Sequence, residues 1–261
     1  MADYFKKVYN TRYFWYYLVK AEIMNKYRRS KLGILWAILN PLLLTFLMSF
    51  VFGTVFRMPL NDYLPYILSG LIVWDVISGS FVAGAGSIVY SEQYIRQINH
   101  PVTIYTLKSA LVTIINFLIA SLALCFWMLF TAPQNVILGI ITLPLTTLIY
   151  LLFAWPITTF SGYVNTKYRD YPQIIALAIQ ALWYVSPVFF KKEMFSSNIL
   201  LLNAFNLNPI THILNLVREP FLYGRLPSPY SYFMTFIFVG LWALIGYFVN
   251  KHFEYKVVFY L

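Results

Sequence analysis

From Leu32 to Phe56 the chain carries 25 consecutive residues without a charged side chain. About 20 apolar residues in a helix cross the hydrocarbon core of a bilayer. A helix also satisfies its backbone N–H and C=O groups within itself, as that solvent requires. The run is too long for the apolar core of a cleaved leader, and no small-residue cleavage pattern follows it. A retained transmembrane helix is therefore expected. Composition extends this to the whole chain. Of 261 residues, 60% are hydrophobic and 11% charged, with a mean hydropathy of +0.67, whereas a soluble domain carries about 25% charged residues. Too few polar side chains exist to cover a water-facing surface, which predicts an all-α integral membrane protein.

Apolar runs place six spans, at about 32–56, 64–89, 102–131, 136–164, 171–190 and 230–250. The formal charge of +10 does not point to nucleic acid, because the cations flank these runs and eight of nineteen precede Leu32. With the N-terminus in the cytoplasm, segments 1–31, 90–101, 165–170 and 251–261, plus Lys108, hold fourteen Lys and Arg. The other side holds five: Arg57, Lys191, Lys192, Arg218 and Arg225. That bias predicts both termini in the cytoplasm. The single cysteine, Cys125, allows no disulfide within the chain, and the separated His100, His212 and His252 give no metal-site spacing.

Residues 1–31 interleave aromatics with Lys6, Lys7, Arg12, Lys20 and Lys26, the composition of a cytoplasmic amphipathic helix lying in the membrane interface. Residues 32–261 then form the six-helix transmembrane domain. Within it, segment 191–229 is too polar to span. Its apolar pieces 199–205 and 210–217, the second bracketed by Pro209 and Pro220, read as two outer re-entrant helices. Irregular backbone at membrane depth is tolerated only against protein or a water-filled cavity.

No catalytic constellation is present. The chain lacks a Gly-Lys dipeptide, which excludes a phosphate-binding loop, and its nine carboxylates are scattered over both faces. Neither an enzyme nor a metal site is expected. Asp75 is the only carboxylate deep within a span. It is either a functional ionisable group or a structural hydrogen-bond partner for Ser or Thr on a neighbouring helix. Aromatics make up 20% of the chain, and most suit interfacial belts. Trp183 and Tyr184, well inside the fifth run, do not. They serve either helix packing or a path for sugars, whose apolar ring faces stack on aromatic rings.

Four stretches, in order, resemble one family. "KYRRSKLGILWAILNPL", with Tyr27, Arg28, Leu32, Gly33, Trp36 and Pro41, resembles the start of the membrane subunit of type-2 ATP-binding-cassette exporters. "YSEQYIRQINHPVTIY" resembles the family's cytoplasmic loop between spans two and three. "TKYRDYPQIIALAIQALWYVSPVFF" carries Arg169, Asp170, Ser186 and Pro187, and "NPITHILNLVREPFLYG" carries Asn208, Pro209 and Arg218. Within that family the chain most resembles the permease of bacterial O-antigen and related polysaccharide exporters. Two features depart from the pattern: Asp75 follows Trp74 where an apolar or aromatic residue is more usual, and the C-terminal "EYKVVFYL" matches loosely.

The resemblance implies a homodimer in the bacterial inner membrane, paired with two copies of a separate ATPase chain. ATP and Mg would bind that partner, and no cofactor this chain. A polysaccharide on an undecaprenyl pyrophosphate carrier would cross between the two membrane subunits. Tyr90, Ser91, Glu92, Gln93, Tyr94, Ile95 and Arg96 would dock on the ATPase. Tyr27, Arg28, Arg29 and Lys31 would meet the lipid pyrophosphate, with Arg supplying a planar fork of donors. Phe46, Phe50, Trp183 and Tyr184 would flank the polymer. A capsule or teichoic-acid exporter of the same family is an alternative. So is an ATP-independent channel or carrier, although the paired, Gly-interrupted spans of repeat-built carriers are missing.

Overall fold

The computed structural model describes residues 2–28, 30–98, 100–195 and 198–261, apart from the side chains of 2–5, 195, 200 and 201. Helices joined by short turns make up the described residues, and no strand occurs among them. In order they are α1 (Ala2–Asn10), α2 (Arg12–Tyr27), α3 (Trp36–Phe56), α4 (Leu60–Ser78), α5 (Gly84–Val89), α6 (Glu92–Gln97), α7 (Thr103–Thr131), α8 (Pro133–Lys167), α9 (Tyr171–Val185), α10 (Ile199–Leu207), α11 (Pro209–Tyr223) and α12 (Pro229–Phe253).

Among the described residues five stretches are long and apolar enough to cross a bilayer: Gly33–Phe56, Leu60–Val89, Thr103–Thr131, Pro133–Lys167 and Pro229–Phe259. The sequence predicts six, and the difference lies at α9. Its 15 residues rise about 22 Å, short of a hydrocarbon core about 30 Å thick. The helix stops because Pro187 disfavours helical backbone at the residue before it. Ser186 is accordingly extended, at φ −86 and ψ 150. The apolar run to Phe190 continues as irregular chain.

The second stretch is continuous from α4 to α5 through a widened helical turn at Gly79–Ala83. Such a turn displaces backbone partners, and Thr158 Oγ1 on α8 donates to the Ser80 carbonyl there (3.3 Å). α4 is the centre of the bundle, packed by α3, α7 and α11, with Tyr63, Ile67, Leu68 and Ile72 fully enclosed. The long α8 packs against α7, α12, α5 and α11. By contrast, α3 exposes Leu43, Leu47 and Val55, and α12 exposes Phe233, Phe236, Leu241, Leu244 and Phe248. Apolar surface this extensive is stable only against lipid or protein.

The two ends of the bundle differ. One gathers α6, the α8–α9 turn and the chain's last residues: the Val102 N–H donates to Glu254 Oε1 (3.2 Å), and Arg169 Nη2 donates to the Tyr260 carbonyl (3.3 Å). The opposite end carries the α3–α4 turn, Ala132, and residues 186–228 with α10 and α11.

Candidate functional site

The cationic stretch lies where α2 turns into α3. Helix α2 packs against α7. Glu22 pairs with Lys108 (2.6 Å), and Tyr27 Oη donates to Asn116 Oδ1 (3.2 Å). Asn116 is eight residues beyond Lys108, about 12 Å further along the helix. Gly33 in that turn adopts φ +53, a left-handed conformation that costs glycine little. Trp36 Nε1 donates to Ser30 Oγ (3.1 Å) across the turn. Arg28 and Lys31 are exposed, Tyr27 is half-buried, and Arg29 lies outside the described residues. Asp75 on α4 opens to the exterior of the chain. It makes no hydrogen bond among the described residues.

Residues 90–96 divide into two faces. Glu92 and Arg96 form an exposed i,i+4 ion pair (2.8 Å). Tyr90 is 86% exposed, and Gln93 is exposed. Ser91, in contrast, is buried and donates to the Ser87 carbonyl (2.8 Å). Ile95 packs on Ile88, Val102, Tyr163 and Val257, and Tyr94 meets Phe14 edge-on at 6.2 Å. Only one side of this short helix is free for a partner.

The four aromatic candidates separate in the same way. Phe46, Phe50 and Tyr184 are exposed. Trp183 is half-buried, edge-on to Phe189 at 4.9 Å. Phe189 also stacks on Phe52 at 5.6 Å, so this ring, which the sequence did not single out, joins α3 to the end of α9.

Of the other motif residues, Arg169 and Asp170 form the exposed α8–α9 turn. Asn208 caps α11, accepting from the Ile210 N–H (2.9 Å), and Pro209 is its first residue. Arg218 has a different role from a flanking cation: it is 2% exposed. Nη1 donates to the Pro187 carbonyl (2.8 Å) and to Tyr66 Oη (3.0 Å); Nη2 donates to the Val188 carbonyl (2.6 Å) and to the Tyr66 carbonyl (3.3 Å). The guanidinium lies 3.7 Å over the Tyr66 ring. It ties α11 to α4 and to the loop after α9. Gly70 makes room for it, since a Cβ there would stand 2.6 Å from the Val188 carbonyl and 2.7 Å from Nη2. Among the described residues no cluster of His, Cys, Asp and Glu could hold a metal ion.

Residues 13–222 match the ABC-2 type transporter family. The chain belongs to the ABC-2 type transporter family. Its match begins within α2 and ends at α11, so it includes the turn from α2 to α3, α6 and Arg218. Membership and the five apolar stretches make this ABC-2 transporter a multi-pass membrane protein. Among curated proteins it is similar to two from Klebsiella pneumoniae, each named O-antigen export system permease protein RfbA. One is 22% identical over 239 residues, covering 90% of this chain and 91% of the relative. The other is 22% identical over 255 residues, covering 96% and 97%. A Myxococcus xanthus protein of the same name is 24% identical over 240 residues, covering 91% and 92%.

Proposed function

We propose that the chain is the membrane subunit of an ATP-driven exporter that moves an undecaprenyl-pyrophosphate-linked polysaccharide of O-antigen type across the bacterial inner membrane. The observation that carries this reading is the end-to-end similarity to O-antigen export permeases, at 90% or more of both chains, within an established transporter family. In this reading two copies assemble with two ATPase chains, which bind ATP and Mg. The termini and α6 face the cytoplasm. The short α9 with its extended continuation is the sixth crossing, and α10–α11 re-enter the outer leaflet. The exposed Phe46, Phe50 and Tyr184 then line the path between the two copies. Tyr27, Arg28, Arg29 and Lys31 receive the pyrophosphate.

Deleting the gene in its host tests the reading. Surface polysaccharide should disappear and lipid-linked polymer should accumulate inside, with both restored by the plasmid-borne gene. Co-purification should recover an ATPase chain. Normal surface polysaccharide in the deletion strain would sink it, whereas accumulation of a capsule or teichoic-acid polymer instead would shift the substrate within the family.

A further inference from the structure

At the end of the bundle opposite the termini, a cavity of about 620 Å³ opens between α11, the start of α12 and residues 192–193. Its size falls in the range of small-molecule sites, about 300–1,000 Å³. Its lining is unlike the rest of this apolar chain. Phe205 is the one residue there without a hydrogen-bonding side chain.

The fold itself uses some of these groups. His212 is 4% exposed, with Nε2 against the Asn206 carbonyl (2.8 Å) and Nδ1 against Ser231 Oγ (3.3 Å). Glu219 is paired with Arg225, and Arg218 is engaged by carbonyls and Tyr66. Besides the exposed, oppositely charged Lys192 and Glu193, four groups are left over. The carboxamides of Asn206 and Asn215 and the hydroxyls of Tyr223 and Tyr230 make no hydrogen bond among the described residues. The Tyr223 and Tyr230 side chains are 51% and 52% exposed, at the cavity's lining. Arg218 Nε, behind them, is buried and unpartnered.

The unspent groups decide the ligand's chemistry. The four are uncharged, Arg218 and Arg225 are committed elsewhere, and Lys192 and Glu193 offset each other, so no net charge is left over to favour a phosphate or carboxylate. Each carboxamide offers a donor and an acceptor in one plane, and each phenol offers both. That set matches neighbouring hydroxyls, which themselves donate and accept. Tyrosine faces suit an apolar ring surface. We infer that this cavity binds one or two neutral sugar residues, at a site separate from the exposed aromatics of α3 and α9. The inference rests on the polysaccharide reading for the supply of ligand, since a polymer leaving at this end would present sugars to it.

The test uses the full chain in lipid nanodiscs, free of glycoside detergent. Methyl glycosides of glucose, galactose and mannose, at millimolar concentration, are followed by saturation-transfer NMR. At least one should receive saturation. Asn215→Ala and Tyr223→Phe, which break no internal hydrogen bond, should each weaken the signal by about tenfold in affinity, with the melting temperature unchanged. Phe236→Ala on the exposed face of α12 should leave it intact. No transfer to any of the three glycosides, or equal transfer in the variants, overturns the site. The gene deletion decides the export reading independently: lost surface polysaccharide alongside absent sugar binding would retain the exporter and discard this cavity.

Discussion

Replacing Arg218 with Met keeps much of its volume and removes the guanidinium. Four donor contacts are lost, and the Pro187 and Val188 carbonyls lose the partners that hold the loop after α9. A buried acceptor left unpaired costs about 1–3 kcal/mol. Hydrogen bonds inside membranes, measured by double-mutant cycles, average only about 0.6 kcal/mol, and release of a buried cation from its desolvation cost offsets part of the loss. These terms together give about 2–4 kcal/mol of destabilisation. For a chain of this size that is a fall of roughly 4–16 °C in melting temperature, read by tryptophan fluorescence in nanodiscs. Arg218→Lys should fall between, because one ammonium cannot reach both loop carbonyls and cover the Tyr66 ring. Gly70→Ala perturbs the same node from the α4 side through its close approach to the Val188 carbonyl and Nη2, and should act in the same direction. Limited proteolysis should cut 186–195 first in all three. An Arg218→Met variant melting within about 2 °C of wild type would refute the reasoning and leave Phe189 packing as what holds the loop.

Gly33→Ala meets no atom within 4 Å, so its cost is conformational alone, about 1 kcal/mol, visible as a small fall in melting temperature; a much larger fall would mean unrecognised contacts at the turn. Exchanging Glu92 and Arg96 for each other keeps the ion pair, worth roughly 0.3–0.5 kcal/mol, and reverses the charges offered to a partner; melting should hold while export falls and ATP hydrolysis continues. Replacing Arg28 and Arg29 with Lys keeps the charge and the membrane orientation but removes the planar fork; export should drop at unchanged membrane levels, and wild-type export would reduce the cluster to an orientation signal.

Length and polarity made most of the helices legible from the sequence. The uncharged run ending at Phe56 is a helix to that residue, and Glu92 and Arg96 fall on one face as their spacing requires. The sixth span was less legible, because the apolar run to Phe190 outweighed Pro187, whose local effect on Ser186 ended α9 early. For Trp183 and Tyr184, position in the run could not tell packing from exposure. One rests on Phe189 and the other faces out, a difference set by a loop whose path no periodicity records.

Arg218 was the least legible residue, and its placement changes an argument made from sequence. Read as a flanking cation, it counts among the five positive charges on one side of the bundle. Its partners are Tyr66, 152 positions away, and two carbonyls of a non-repeating loop, and no sequence pattern announces either. A guanidinium buried against carbonyls presents no free charge to a headgroup layer, so it contributes little to orientation. Arg225, paired with Glu219, contributes less than a lone cation. The opposite tally also loses members, since Lys108 pairs with Glu22 and Arg96 with Glu92. The asymmetry then rests mainly on the exposed cations of α1, α2 and the turn after them. The residues proposed to meet a lipid pyrophosphate are thus among those that would set the direction of the chain, and the Arg-to-Lys pair separates the two roles because only one of them depends on the shape of the charge.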